Sequence, residues 1–232
     1  MKLTETSVKE NILTSEIPPW SHSTLTSFET CPRRHHLTKV IRVIKEPPTE
    51  ATIWGNFVHK ALEERVKDGT PLPDSIKGYA PIADMMISKP GTKLVEHKFA
   101  LDSNFQPTEW DGSWGRGIVD LGILQGDTAV MLDWKTGKRK TDSDQLKLMA
   151  LMAMHTFPEV DTVLTGFVWL KDHKLDREMF TRKQIQDLWS DFLPRVNRLT
   201  RAFKEDKWPP KPSGLCKAWC PCTGCEFNGK NK

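Results

Sequence analysis

Three strand-forming segments and the apolar helix that follows them constrain the fold of this chain more than any other feature. The segments are KLVEHKFAL (93–101), WGRGIVDLGIL (114–124) and TAVMLDWKT (128–136), which are rich in β-branched residues and partly alternate apolar with polar positions. Gln125-Gly126-Asp127 has the composition of a hairpin turn. An apolar helical pattern over 142–157 and a strand pattern over 161–170 come next. This β-β-β-α-β order predicts an α/β core with a mixed sheet.

Helical patterns precede and follow this core. The stretch 21–40 begins with Ser21 as a cap and predicts a helix that breaks or restarts at Cys31-Pro32. A second helix is predicted over 55–69, with an apolar stripe made by Phe57, Val58, Ala61, Leu62 and Val66. A weaker helical pattern covers 74–89. An amphipathic helix is predicted within 181–210, and Pro194 is expected to kink or divide it.

The composition excludes membrane-spanning proteins and disulfide-rich secreted proteins. Of the 232 residues 38% are hydrophobic, and no apolar run approaches the ~20 residues that a membrane helix needs. The polar start lacks the apolar centre of a secretory signal, so we expect a cytoplasmic, reducing environment and no membrane partner. The odd count of five cysteines, four of them between Cys216 and Cys225, favours thiols or metal ligands over disulfides.

The basic and aromatic residues leave two interpretations each. The net charge of +4 is too small to indicate a nucleic-acid binder by itself, but basic residues are concentrated in 135–147 and 195–211. Such runs guide a phosphate backbone or form solvated helix faces. Four of the nine tryptophans are candidates either for base stacking or for core packing, namely Trp20, Trp110, Trp114 and Trp134.

Acidic residues in two consecutive strands form the first candidate site. Asp133 and Lys135 flank Trp134, so the pleat places both side chains on one face of the strand. Asp120 lies on the opposite arm of the predicted hairpin. Two adjacent carboxylates among apolar strands repel each other unless a cation lies between them, and oxygen ligands suit Mg²⁺ or Mn²⁺. Lys135 could then orient a nucleophile or neutralise charge at a phosphate, whereas the alternative is a surface salt bridge.

At this point the chain resembles the PD-(D/E)XK nuclease superfamily, and within it the RecB-like nucleases. The resemblance runs from Ser21 to Cys225 and is carried by SHSTLTSFETCPRR, by Gly55-x-x-x-His59, by GIVDLGIL with Asp120 and by DWKTGK with Asp133 and Lys135. It implies a restriction-endonuclease-like core whose mixed central sheet is flanked by helices. It also implies that His59, Asp120, Asp133 and the main-chain carbonyl of Trp134 hold Mg²⁺ or Mn²⁺, with Asp120, Asp133 and Lys135 catalytic.

Two positions near this constellation depart from the family pattern or add to it. The family's Gln-x-x-x-Tyr element, which contacts DNA, has its counterpart in Gln145-Leu-Lys-Leu-Met149, where the glutamine is present and the tyrosine is replaced. Together with Lys138, Arg139 and Lys140, Gln145 is the predicted DNA contact. Glu96 is either an additional metal or water ligand, as an acid here is in some relatives, or a polar residue that faces solvent.

Four cysteines within ten residues form the second candidate site. Cys216-x₃-Cys220-x-Cys222-x₂-Cys225 stands among glycine and proline residues that let a backbone wrap around an ion. Either all four bind Zn²⁺, or Cys31 joins three of them on an iron–sulfur cluster. The second arrangement resembles the iron–sulfur RecB-like nucleases, which include CRISPR-associated adaptation nucleases and the AddB nuclease domain.

The same resemblance implies a [4Fe-4S] subdomain that joins the two ends of the nuclease. We favour Cys31, Cys216, Cys220 and Cys225 as its ligands and Cys222 as the spare thiol, because a second ligand so close to Cys220 would strain the loop. The expected division is an N-terminal arm (1–20), a nuclease domain (21–210) and a cluster-binding tail (211–232).

The sequence thus indicates a metal-dependent exonuclease that acts on single-stranded or duplex DNA ends. The alternative from another class is a nucleic-acid-binding or assembly module that docks on a recombination or replication protein and cuts little. A zinc-ribbon regulator is disfavoured, because it would leave the strand carboxylates without a role. The compact form would suit a phage or mobile-element protein.

Overall fold

The computed structural model describes residues 17–139 and 143–231. Most of the predicted N-terminal arm and Lys140 therefore lie outside the described residues. The chain forms two compact units: the central unit consists of residues 48–191, and the flanking unit of the described residues up to Pro47 and from Phe192 onward. None of the helices in the described parts of the chain has the length and apolar character required to cross a bilayer.

Seven α-helices and five β-strands account for most of the regular structure in the described residues. The helices are α1 (His22–Thr30), α2 (Pro32–His35), α3 (Glu50–Asp68), α4 (Ala80–Ile87), α5 (Asp144–Thr156), α6 (Ile185–Glu205) and α7 (Leu215–Ala218). The strands are β1 (Thr92–Leu101), β2 (Gly115–Gln125), β3 (Thr128–Lys135), β4 (Thr162–Trp169) and β5 (Lys174–Thr181). A π-helical turn spans His36–Val40, and 3₁₀ turns span Asp74–Tyr79, Arg182–Gln184 and Gly229–Asn231.

The five strands form one mixed sheet in the order β1-β2-β3-β4-β5. Only β3 and β4 run parallel, with α5 as their crossover, and the other neighbours are antiparallel. Gln125 pairs with Thr128, which leaves Gly126 and Asp127 as a two-residue hairpin loop with Gly126 at φ +59°. The mixed sheet and its β-β-β-α-β order are as the sequence predicts. The fifth strand, β5, was not predicted, because its sequence KLDREMFT is largely polar.

Apolar residues of α3 and α4 pack against the sheet and form the core of the central unit. Val58 and Leu62 of α3 lie against Leu132 and Trp134 of β3. Thr49 caps the start of α3, and Gly69 ends the helix in the left-handed conformation at φ +71°. The helix thus begins before the predicted boundary, and Phe57, which the apolar stripe includes, is exposed.

Helix α5 is largely buried, and all of its residues from Leu148 to Met154 lie in the core. Burial of each large apolar side chain contributes about 1.5–3 kcal/mol to folding. This helix therefore holds the parallel pair β3–β4 from one face and fixes the position of its own first turn.

The flanking unit contains α1, α2 and the second half of α6. Ser21 caps α1 through its hydroxyl, which accepts a hydrogen bond from Thr24 N. The helical conformation ends at Cys31, which is extended, and resumes with Pro32 at the first position of α2, as predicted. Arg195 of α6 donates to both carboxylate oxygens of Glu29 at 2.8 Å. Pro194 lies inside α6 without dividing it.

Candidate active site

The ladder between β2 and β3 ends one residue before the two aspartates of the hairpin. Leu121 pairs with Leu132 at the end of the ladder, so Asp120 and Asp133 occupy the next opposed positions, where the strands are no longer paired. The N–H of Trp134 donates to Asp120 Oδ2 at 2.7 Å instead of to the neighbouring strand. A side chain of β2 thus replaces a main-chain bond, which fixes the carboxylate of Asp120 against β3.

His59 and Glu96 converge on Asp120 from two other elements. His59 Nδ1 of α3 lies 3.3 Å from Asp120 Oδ1. Glu96 is opposite Asp120 in the register of β1 and β2, since its neighbours Val95 and His97 pair with Leu121 and Val119. One ligand atom from each of His59, Glu96 and Asp120 lies within 4.8 Å of the others, and the described residues contain no other His, Cys, Asp and Glu group of this compactness.

The charges in this group shift the pKa values of its members. Burial lowers the pKa of His59, but the hydrogen bond and charge of Asp120, the charge of Asp133 and a hydrogen bond to the main chain of Trp134 outweigh it and raise the pKa to about 8. Burial, and then the charge of Asp120, raise the pKa of Glu96. Within the triad, His59 is the one residue that can carry a positive charge to offset the carboxylates of Glu96 and Asp120.

Two side chains, those of Lys135 and Gln145, contact the carboxylate of Asp133. Lys135 Nζ lies 2.7 Å from Asp133 Oδ2. Gln145, in the first turn of α5, donates through Nε2 to Asp133 Oδ1 and accepts through Oε1 from Lys135 Nζ at 3.0 Å. The ammonium group of Lys135 also lies 4.7 Å from the ring centre of Phe167. The lysine is thus fixed by a carboxylate, an amide and an aromatic face.

Burial also raises the pKa of Asp133. The residue is 7% exposed. Burial, and then the charge of Asp120, raise its pKa to about 6, against the opposing effect of Lys135 and His59. A bound cation would offset the repulsion between the carboxylates of Asp120 and Asp133.

Glu96 belongs to the triad and has a strained backbone conformation. Its φ of +48° lies in the left-handed region, which costs an L-residue about 1–2 kcal/mol. The side chain is half-buried within the carboxylate group. The position of Glu96 near His59 and Asp120 favours its interpretation as an additional ligand over that of a polar residue that merely faces solvent.

The donor set fits a hard divalent cation. Imidazole nitrogen and carboxylate oxygen are ligands of Mg²⁺ and Mn²⁺, and the three ligand atoms are close enough to share one ion. Asp133 is not part of this compact triad, and its carboxylate contacts Lys135 and Gln145. Of the predicted metal ligands, the structure brings His59 and Asp120 directly together, with Asp133 and the Trp134 main chain next to them.

The predicted DNA-contacting residues differ in their surroundings. Arg139 forms an ion pair with Asp176, with Nε 2.7 Å from Oδ2, and Lys138 is exposed beside it. Lys140 lies outside the described residues. Gln145 faces Asp133 and Lys135, and Met149, which replaces the family's tyrosine, is buried.

The five cysteines belong to the flanking unit, where all of them line one cavity. Arg33, Arg34 and Lys211 are among the other residues around it. Main-chain N–H groups point at two sulfurs, from Lys211 to Cys31 Sγ and from Ser213 to Cys216 Sγ, both at 3.4 Å. Cys222 is the most buried cysteine, and burial, followed by the charge of Cys220, raises its pKa to about 12.

The spacing of the sulfurs bears on what this cavity could hold. A zinc ion with four Zn–S bonds of about 2.3 Å draws its sulfurs to within about 4 Å of one another. Among the described residues no three cysteine sulfurs lie within 4.8 Å of one another. The sulfurs as placed therefore do not form a compact single-ion site.

Comparisons with known proteins identify the family of the chain and a protein that shares its fold. The solved structures that align with the chain include SSO0001, at 13% identity over 95% of each chain with a TM-score of 0.48, and a protein from Eubacterium rectale whose assignment as an exonuclease is itself a prediction. The latter aligns at 14% identity over 93% of this chain and 91% of its own, with a TM-score of 0.54, which shows a shared fold. A search of curated proteins gives no match. The family model of the PD-(D/E)XK nuclease superfamily matches residues 19–229, so the chain belongs to this superfamily.

Proposed function

We propose that this protein is a metal-dependent deoxyribonuclease of the RecB-like branch that removes nucleotides from single-stranded or duplex DNA ends. The observation that carries the proposal is the fixed position of Lys135 beside Asp133, next to the triad of His59, Glu96 and Asp120. A degenerate, binding-only fold has no need to keep a buried carboxylate and an ammonium group 2.7 Å apart.

His59, Glu96 and Asp120 would hold Mg²⁺ or Mn²⁺, with Asp133 and the Trp134 carbonyl as further ligands. Such an ion polarises a phosphodiester and lowers the pKa of a bound water. Lys135 supplies a positive charge at the place where negative charge develops on the phosphate, and it can orient the attacking water. Gln145 keeps Lys135 and Asp133 aligned through its two hydrogen bonds.

An assay with linear and circular DNA tests this function. Purified protein is incubated with Mg²⁺ or Mn²⁺ and either an end-labelled linear single strand or a closed circle of the same sequence. We expect mononucleotides or short products from the linear strand and no cleavage of the circle. Labels placed at the 5′ or the 3′ end then give the polarity. Cleavage of the circle would show an endonuclease instead.

A matched pair of variants excludes a contaminating nuclease. Asp120→Ala is expected to abolish the activity, whereas Asp127→Ala, in the hairpin turn of the same two strands, is expected to retain it. If both variants and the wild type degrade the linear strand equally slowly, the protein acts as a binding or assembly module for a recombination or replication partner.

We further propose that Cys31, Cys216, Cys220 and Cys225 hold a [4Fe-4S] cluster and that Cys222 is spare. Support comes from the shared cavity, the N–H groups aimed at Cys31 and Cys216, and the basic residues that offset thiolate charge. A multi-iron cluster also accommodates sulfurs that are too far apart for one zinc ion. Its role is structural: closing the long loop between Cys31 and Cys216 contributes up to about 5 kcal/mol.

Anaerobic purification with iron and sulfide analysis tests the cluster. We expect a brown protein, a colourless and unstable Cys31→Ala variant, and a Cys222→Ala variant that retains its colour. A fully coloured and stable Cys31→Ala protein contradicts the ligand set, and stoichiometric zinc in a colourless wild type contradicts the cluster.

A further inference from the structure

Two basic side chains lie on the strands that carry Glu96 and Asp120. Lys98 of β1 and Arg116 of β2 are diagonal neighbours in the ladder between these strands. A rise of about 3.4 Å per residue puts the main chain of Lys98 at most about 7 Å from Glu96, and that of Arg116 at most about 14 Å from Asp120. The register of one strand pair therefore places both cations close to the candidate metal ligands.

The face of the ladder that bears these cations is open to solvent. Phe99 and Val119 are buried in the core. Because side chains alternate along a strand, Lys98 and Arg116 project from the opposite face. On that face Ile118, which pairs with Lys98, is 44% exposed. A ligand can therefore reach both cations from solvent.

Trp110, in the loop between β1 and β2, contacts both cations. Lys98 Nζ lies 5.2 Å from the centre of its ring, and Arg116 Cζ lies 4.7 Å from it. Cation–π contacts of this length restrict the two side chains. In the described part of the chain neither cation forms an ion pair with a carboxylate, although the exposed Glu109 and Asp111 flank Trp110.

The charges of this region favour an anionic ligand. Two cations held over one ring repel each other, and a bound anion offsets that repulsion. A phosphate backbone is such an anion, but the carboxylates of Glu96, Asp120 and Asp133 oppose its approach to the candidate active site. Cations on the neighbouring face reduce this opposition by attracting the phosphates on either side of the one that reacts.

From this placement we infer that Lys98 and Arg116 bind phosphates of a DNA strand whose reacting phosphate lies at His59, Glu96 and Asp120, and that Trp110 is the positioning residue for both cations. The inference rests on the nuclease function proposed above and assigns a path along β1 and β2 to its substrate. At about 3.4 Å per nucleotide, the two cations act about two to four nucleotides from the reacting phosphate. Phosphate contacts carry no sequence information, so strands of different sequence bind alike.

The salt dependence of strand binding tests these contacts. Binding of fluorescein-labelled dT20 and of a mixed-sequence strand of equal length is measured from about 50 to about 200 mM KCl. The Mg²⁺ concentration is fixed and low, and an Asp133→Asn background prevents cleavage. We expect Lys98→Gln and Arg116→Gln each to reduce the slope of log K against log salt by about 0.7, and to weaken binding of both strands about threefold to tenfold at the lowest salt.

Trp110 is tested by variants that change no charge. Trp110→Ala should weaken binding of both strands about twofold to fivefold at an unchanged salt slope, because the cations remain but are no longer held. Trp110→Phe should restore the affinity, because it keeps an aromatic face. Loss of affinity for only one of the two strands in Trp110→Ala would show base stacking instead and would overturn the positioning role.

Lys183→Gln is the matched control, because it removes one exposed charge just after β5, at the end of the sheet opposite to Asp133. Its affinity and salt slope should equal those of the parent. The inference is overturned if the Lys98→Gln, Arg116→Gln double variant binds both strands as the parent does, or if Lys183→Gln lowers the slope to the same extent. A parent that binds neither strand contradicts the proposed function as well, whereas unchanged binding in the double variant of a parent that does bind leaves that function intact.

Discussion

Asp120 Oδ2 accepts a hydrogen bond of 2.7 Å from the main-chain N–H of Trp134. The contact joins β2 to β3 at the place where their ladder ends, and it leaves Asp120 Oδ1 directed at His59. Oδ2 of Asp120 therefore supports the fold, whereas Oδ1 is available to the candidate metal site. Substitutions can separate these two roles.

Asp120→Asn and Asp120→Ala should differ in stability but not in metal binding. The asparagine oxygen can still accept from Trp134 N–H, whereas alanine leaves that buried donor unpaired at a cost of about 1–3 kcal/mol. We expect urea denaturation to show this loss for alanine and little loss for asparagine, while Mn²⁺ stabilises neither variant. Equal stability of the two variants would show that the contact does not support the fold.

Divalent metal should raise the melting temperature of the wild type through the triad of His59, Glu96 and Asp120. A ligand at one hundred times its Kd stabilises the folded state by about 2.7 kcal/mol. Glu96→Gln is expected to lose most of this gain, and Glu64→Gln, whose side chain on α3 is 46% exposed, to keep it. A full metal-induced shift in Glu96→Gln would remove Glu96 from the site.

Gln145 should act on rate rather than on substrate affinity. Its amide is engaged by Asp133 and Lys135, so Gln145→Ala frees the lysine without removing any charge. We expect kcat to fall about tenfold to a hundredfold with KM changed little. Gln145→Glu should also lower stability, because it places a carboxylate against buried Asp133. A KM effect at unchanged kcat would indicate that Gln145 contacts DNA directly.

Acid should destabilise the flanking unit through His35. Burial, and then the charges of His36 and Lys39, lower the pKa of His35 from 6.5 to about 4. Because the unfolded chain binds the proton first, stability is lost as the pH falls from about 6.5 towards 4, by about 3 kcal/mol between pH 7.5 and 4.

His35→Asn should flatten this pH dependence in urea titrations. His173→Asn is the matched control, because His173 is exposed and its φ of +49° suits asparagine. If His35→Asn follows the wild-type curve, the acid loss arises elsewhere.

The sequence was sufficient for the succession of β1 to β4 along the chain and for the opposition of Asp120 and Asp133. Both follow from local rules: β-branched alternation, a Gly-containing turn, and the fixed register of a short hairpin. Gln145 was found by family pattern, but its contacts with Lys135 and Asp133 depend on how α5 packs on the sheet. No local signal specifies that packing.

Other features required the tertiary structure. Glu96 joins the site only because β1 pairs with β2 in one register, which the spacing between the strands does not fix. The apolar period of α3 correctly placed Val58 and Leu62 inside, but it also assigned Phe57 to the core. Periodicity cannot tell whether a given turn of a helix has a sheet beneath it.

The nuclease function is tested most directly by the rate at which Asp133→Asn cleaves an end-labelled single strand in Mn²⁺, compared with the wild type and with the Asp127→Ala control. The substitution keeps the shape of the side chain and removes the charge that fixes Lys135. We expect a loss of at least about a hundredfold in kcat with the fold intact by circular dichroism. Cleavage by Asp133→Asn at the wild-type rate would show that Asp133 and Lys135 do not form the catalytic centre.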